Sequence, residues 1–306
     1  MVTIYKNTIE QGWLLYTFST WFSTIVEKER QCLLSVATVT AEKGKMKNNY
    51  WISINNLTDI DKYKKVGGSA FLFALDSYTI GYNTFTVDEI NSIQNETKYV
   101  LINRLLSSQD IISIETILPK IECNGFVIED IGLINILKPL NKKIILFMNH
   151  FNCNYVSINE WLEYVDSVVI SNELTEDEIE TIVKNTKKPV VVQVFGHNQM
   201  MYSRRLLLTN YYQKFNLPYQ NNKIIKDKLG NMEILMCENK YGTVGYTPKI
   251  FDGRRLLKLD NVLYFYINTS FIELDTVLDF LNNKEIPNSD SGFLDKPTIF
   301  KISDMK

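Results

Sequence analysis

This chain of 306 residues carries only two histidines, His150 and His197. Each stands where an apolar run stops, after KKIILFMN and after PVVVQVFG. Asn149 directly precedes the first. Two further runs end on polar groups with a carboxylate: CNGFVIED on Glu129 and Asp130, and DSVVISNE on Asn172 and Glu173. Beyond His197 come Tyr202, Ser203 and two adjacent arginines, Arg204 and Arg205. An imidazole can work as an acid–base group or hold a metal. Two histidines and a carboxylate make one recurrent metal set, and paired guanidiniums can grip a carboxylate or phosphate.

Each residue also has a structural reading. Asp130 precedes Ile131 and suits a helix cap. Glu173 lies just before a helix start, where negative charge is favourable. Arg204 and Arg205 can pair with Glu129 or Glu173, and Leu206 to Leu208 read as core. The chain has no G-x-S-x-G, H-E-x-x-H or phosphate-cradling glycine loop, and Ser203 beside two arginines is not a triad.

What must position these residues is a strand–helix rhythm that begins at Trp51. WISIN, SAFLFALD, KYVLINRLL, CNGFVIED, KKIILFMNH, DSVVISNE, PVVVQVFG and NVLYFYINTS read as strands separated by helical patterns. Two helices carry capping-box signatures, Thr86 with Glu89 and Thr175 with Glu178. Several strands are nearly continuous apolar runs, as expected for parallel strands buried on both faces. The count predicts an α/β fold of TIM type, a (β/α)8 barrel. The competing doubly wound sheet usually carries a Gly-rich first turn, and NNLTDID has no glycine. A barrel gathers chemistry at the C-terminal ends of its strands. The shortlist there is Asp76, Arg104, Glu129, Asp130, Asn149, His150, Asn172, Glu173 and His197. His197 and Glu173 are the expected catalytic residues. Arg204, Arg205, Tyr202, Ser203, Asn149, Glu129 and Asp130 are the expected substrate-binding residues.

Residues 1–45 read as an apolar, aromatic N-terminal extension interrupted by Ser and Thr. They lack the ~20 continuous apolar residues of a membrane span and a well-formed signal peptide. Residues 46–285 form the expected barrel. A small antiparallel β insertion at about 224–251 is marked by the turn signals LGN and KYGTVG, and residues 286–306 read as a polar, loosely docked tail. A formal net charge of −2 shows no global nucleic-acid footprint. The four cysteines lie far apart, without zinc spacing, and suit reduced thiols in the cytoplasm.

Four ordered blocks resemble the signature of peptidase family U-32, the collagenase-like family: GFVIEDIGLINIL, KKIILFMNHFNCN, DSVVISNELTEDEI and VFGHNQMMYSRRLLLTNYY. The turn NKYGTVG has a counterpart there too. The resemblance spans roughly Met46 to Asn282 and implies a barrel. Many members of the family bind an iron–sulfur cluster through cysteines. Here those places hold Met200 or Met201 and Leu206, and a later cysteine pair is absent. Such clusters need thiolates, so no cofactor is expected. The family's terminal E-G-R motif is replaced by Asn268, Thr269 and Ser270. Members were named as peptidases, while others serve hydroxylation of tRNA wobble uridine or of ubiquinone. The chain resembles short, cysteine-poor bacterial members. The resemblance implies an accessory or small-molecule-binding subunit in tRNA wobble-uridine hydroxylation. Its partner would be a longer cysteine-bearing paralogue, which would bring the tRNA, and its ligand a small dicarboxylate such as prephenate. A peptidase and a non-catalytic scaffold are the alternatives.

Overall fold

The computed structural model describes residues 49–226 and 233–297; the expected extension at 1–45 lies outside them. Eight apolar runs become the parallel strands β1 (Tyr50–Ser53), β2 (Gly68–Leu75), β4 (Lys98–Ile102), β5 (Gly125–Ile128), β6 (Lys143–Leu146), β7 (Ser167–Val168), β8 (Val190–Gly196) and β14 (Val262–Ile267). A short β3 (Thr84–Phe85) lies beside β2. The main sheet runs β8-β14-β1-β2-β4-β5-β6-β7, all parallel. Past β7, Val169 pairs in parallel with Val191 of β8, and Ile170 N–H donates to Val191 O at 2.9 Å.

The period-two rule sorts the side chains. Along β4, Val100 and Ile102 join the large core under the helices, while Tyr99 and Leu101 join a smaller one. That second core takes Trp51, Leu72, Leu101, Val127, Ile145 and Val191, each from a different strand. All seven residues of β8 are buried, which explains why its text is an unbroken apolar run.

Helices α1 (Ile60–Lys65), α2 (Val87–Ser92), α3 (Ser108–Glu115), α4 (Ile134–Leu137), α5 (Tyr155–Trp161), α6 (Glu176–Asn185), α7 (Leu207–Phe215) and α8 (Leu274–Leu281) make up the described helical set. Both expected capping boxes form: Glu89 N–H donates to Thr86 Oγ1 at 3.3 Å and Glu178 N–H to Thr175 Oγ1 at 3.4 Å. A third box, Ser107 with Asp110, caps α3. It escapes a search for Glu or Gln because aspartate fills the N3 place.

The insertion is larger than its turn signals suggest. β9 (Gln199–Ser203), β10 (Asn222–Lys226), β11 (Glu233–Asn239) and β12 (Gly242–Tyr246) form a four-stranded antiparallel sheet, with α7 between β9 and β10. Its first strand lies well before the expected start, because QMMYS is too short to display alternation. β13 (Ile250–Asp252) returns to the main sheet, antiparallel to β8. The tail is not loosely docked over its described part. β15 (Ser289–Asp290) pairs with β13, Ile286 and Leu294 are buried, and Arg255 meets Asp295 at 2.7 Å.

Candidate functional site

Because the eight long strands are parallel, their C-terminal ends share one edge of the sheet. The segments after β2, β4, β5, β6, β7, β8 and β14 deliver Tyr82, Arg104, Glu129, His150, Glu173, His197 and Ser270 to that edge. The small sheet leans over it. Tyr246 Oη donates to Gly81 O at 3.1 Å, Asn239 Nδ2 to Thr79 O at 3.2 Å, and Leu105 N–H to Tyr202 Oη at 3.4 Å. Gly81 has φ of +81°, and a Cβ there would stand 2.1 Å from Tyr246 Oη. Only glycine fits this junction.

Glu129 lies under that roof. Its carboxyl has no hydrogen-bond or ion-pair partner among the described residues, and it sits within electrostatic reach of Tyr82, Tyr202 and Tyr246. Loss of hydration pushes it up to about 8, because burial penalises the charged form. At neutral pH it is therefore mostly a neutral acid, able to donate a hydrogen bond. Tyr82 Oη and Tyr266 Oη share a hydrogen bond of 3.0 Å, and burial raises both hydroxyls far above their ordinary value. Arg104 stacks 3.7 Å from the centre of the Tyr241 ring, pairs with Asp110 at 3.2 Å and donates to Ser77 O. Its Nε is buried without a partner. The positive charges of Arg104 and Arg204 both act on Tyr202, and both work against the upward push of burial on its hydroxyl.

The remaining expected residues divide. His197 is buried, and its Nδ1 lies 2.8 Å from Thr247 O. Loss of hydration lowers its affinity for protons, so the ring is neutral and ties the end of β8 to the segment after β12. Gly196 beside it has φ of +111°, and a Cβ would collide with Asn268 O at 2.1 Å. Glu173 pairs with the other histidine, His150 Nδ1, at 3.4 Å. Arg204 and Arg205 are exposed and meet neither Glu129 nor Glu173. Ser203 Oγ accepts from Arg205 N–H at 3.1 Å. Asp130 has the capping role, accepting from Gly132 N–H at 2.9 Å and Leu106 N–H at 3.3 Å. Asn149 is buried at 6% exposure. Among the described residues no three His, Cys, Asp or Glu side chains gather closely enough to hold a metal ion, so the His/His/carboxylate set is not assembled. Cys123, Cys153 and Cys237 are free thiols. No helix among the described residues is long and apolar enough to cross a membrane.

Sequence reading missed Tyr82, Tyr246 and Tyr266. Aromatics beside apolar runs read as core; Tyr246 and Tyr266 are core, and Tyr82 packs half-buried against it. The signal that was available is tyrosine rather than phenylalanine, since a buried hydroxyl needs a partner.

Residues 83–219 match the sequence model of Peptidase family U32, which supports membership of that family. The match covers the strands from β3 to β9 and the helix α7. Among solved structures, the U32 peptidase Mk0906 is similar at 10% identity, over 74% of this chain and 92% of that one, with a TM-score of 0.47. A chitinase from Chromobacterium violaceum is similar at 9% identity, over 80% and 96%, with a TM-score of 0.38. No curated protein matches the chain.

Proposed function

We propose that the parallel sheet closes into a (β/α)8 barrel whose mouth binds a small molecule. On this reading the chain is an accessory subunit of tRNA wobble-uridine hydroxylation, working with a longer cysteine-bearing paralogue that brings the tRNA. Closure is supported by the Val169–Val191 pairing between the two ends of the strand path. A ring contact of 5.9 Å between Phe147, just past β6, and Tyr266 of β14 also supports it, since it crosses the inside of a curled sheet. The accessory role rests on the family resemblance, whose iron–sulfur cysteine places hold Met200 or Met201 and Leu206 here.

The observation that carries ligand binding is the unpaired Glu129 carboxyl beneath three tyrosines. A buried polar group without a partner costs stability, and such groups concentrate at functional sites. As a neutral acid Glu129 would donate to a ligand carboxylate instead of repelling it. Arg104 and Arg204, both felt at Tyr202, would supply positive potential. A small dicarboxylate such as prephenate suits that field. His197 holds the mouth's shape rather than orienting the ligand.

Deleting the gene in the native host and quantifying wobble hydroxyuridine by nucleoside mass spectrometry tests the role. Loss of the modification, restored by the wild type and not by Glu129→Ala, is expected. Unchanged modification after deletion removes the reading.

A further inference from the structure

A second concavity lies at the same edge, between the segments after β1, β2 and β14 and the strand β11. Its volume is about 610 Å³, within the ~300–1,000 Å³ of small-molecule sites. Its chemistry differs from that around Glu129. Asp59, Glu238 and Glu273 line it, and among the described residues no Lys, Arg or His does. Asn55 and Asn83 each give one amide N–H to a backbone carbonyl, Thr269 O at 2.7 Å and Asn55 O at 3.1 Å. Their side-chain oxygens accept nothing among the described residues. At the cleft's wall Ser270 is 2% exposed, and its hydroxyl is buried without a partner.

Phe271 adds an aromatic face. It is 40% exposed and has φ of +62°, a conformation that is a genuine outlier for a bulky residue. Its ring meets Tyr246 at 5.7 Å between centroids and keeps part of its surface open to the cleft. A strained, exposed ring beside free acceptors calls for something to stack on it. Acceptors without cations select a ligand rich in hydrogen-bond donors and free of negative charge.

We infer that this cleft binds an uncharged, hydroxyl-rich ring compound, a saccharide or a nucleoside, stacked on Phe271 and held by the oxygens of Asn55 and Asn83. The cleft shares Tyr82 with the Glu129 mouth, but the inference does not depend on the hydroxylation reading.

Maltose and uridine, titrated separately by isothermal calorimetry into the full chain, distinguish the two sources. Uridine 5′-monophosphate serves as the anionic control. Saturable binding of maltose or uridine is expected, with the nucleotide at least tenfold weaker than uridine if the nucleoside is the ligand. Phe271→Gly accepts the backbone conformation without a Cβ and removes the ring. It should keep a cooperative thermal transition and lose at least tenfold in affinity for whichever probe binds. If uridine binds, Glu273→Gln should narrow the gap between nucleoside and nucleotide. Absence of binding by both neutral probes overturns the inference. So does a nucleotide that binds as tightly as uridine, or a Phe271→Gly protein that folds and binds like the wild type.

Discussion

Two glutamates, the buried Glu238 of the small sheet and the half-buried Glu129 at the edge of the main sheet, have opposite fates. Glu238 on β11 is 3% exposed and accepts four hydrogen bonds: from Leu208 N–H at 2.7 Å, Thr209 N–H at 2.9 Å, Thr209 Oγ1 at 2.6 Å and Thr243 Oγ1 at 2.6 Å. Burial pushes its carboxyl up, but these donors outweigh burial and hold it below its ordinary value. Glu129 has no donor among the described residues, and loss of hydration alone carries it up to about 8. Donors to the charged form favour a fixed charge, and loss of hydration without them favours the neutral acid. Glu238 is structural: it satisfies the orphan N–H groups at the start of α7. Glu129 makes no such contact among the described residues, and the proposed binding role rests on that difference.

The largest effect that could break this contrast is at Glu238. Glu238→Ala strands four donors, and roughly 3 kcal/mol or more of stability should be lost in urea unfolding. A loss below 1 kcal/mol would show that α7 does not depend on its cap. With its folded affinity for protons depressed, Glu238 contributes stability at neutral pH. That stability fades as pH falls through its folded value, and the acid limb should flatten in Glu238→Gln.

Next is the junction itself. Gly81→Ala forces a Cβ toward Tyr246 Oη, 2.1 Å away, at φ of +81°. A loss of roughly 1–3 kcal/mol should appear as a lower Tm. An unchanged Tm would mean that the small sheet is not pinned there.

Glu129 should behave in the opposite sense to Glu238. Its folded form binds the proton more tightly than the unfolded chain, so its stability contribution is complete below about 4.5 and is lost as pH rises to about 8. Between those values stability should fall by at most about 1.4 kcal/mol per pH unit. Glu129→Gln should remove that slope and stabilise the protein at pH 8 and above. Parallel pH profiles for the two proteins would refute the neutral acid. The smallest effect belongs to Arg204→Ala with Arg205→Ala. Both side chains are exposed and unpaired, so stability should change by no more than about 0.5 kcal/mol. A loss of hydroxylation in cells without a loss of stability would sharpen the assignment of this rim to binding.

Much of this was legible in the amino-acid text. The eight parallel strands, the boxes at Thr86 and Thr175 and the cap at Asp130 all follow from residues within a few positions of one another. So does the delivery of Glu129, Glu173 and His197 to one edge, because parallel strands share their C-terminal ends. What the text could not show is whom each of these side chains meets there. Glu173 meets His150, His197 meets Thr247 some fifty positions away, and Glu129 meets no donor among the described residues. Backbone propensity and apolar periodicity act over a turn of helix or a pair of strand residues. Hydration and partner count depend on chain segments that only tertiary packing brings together, so the identity of the charged, neutral and idle groups was settled in three dimensions.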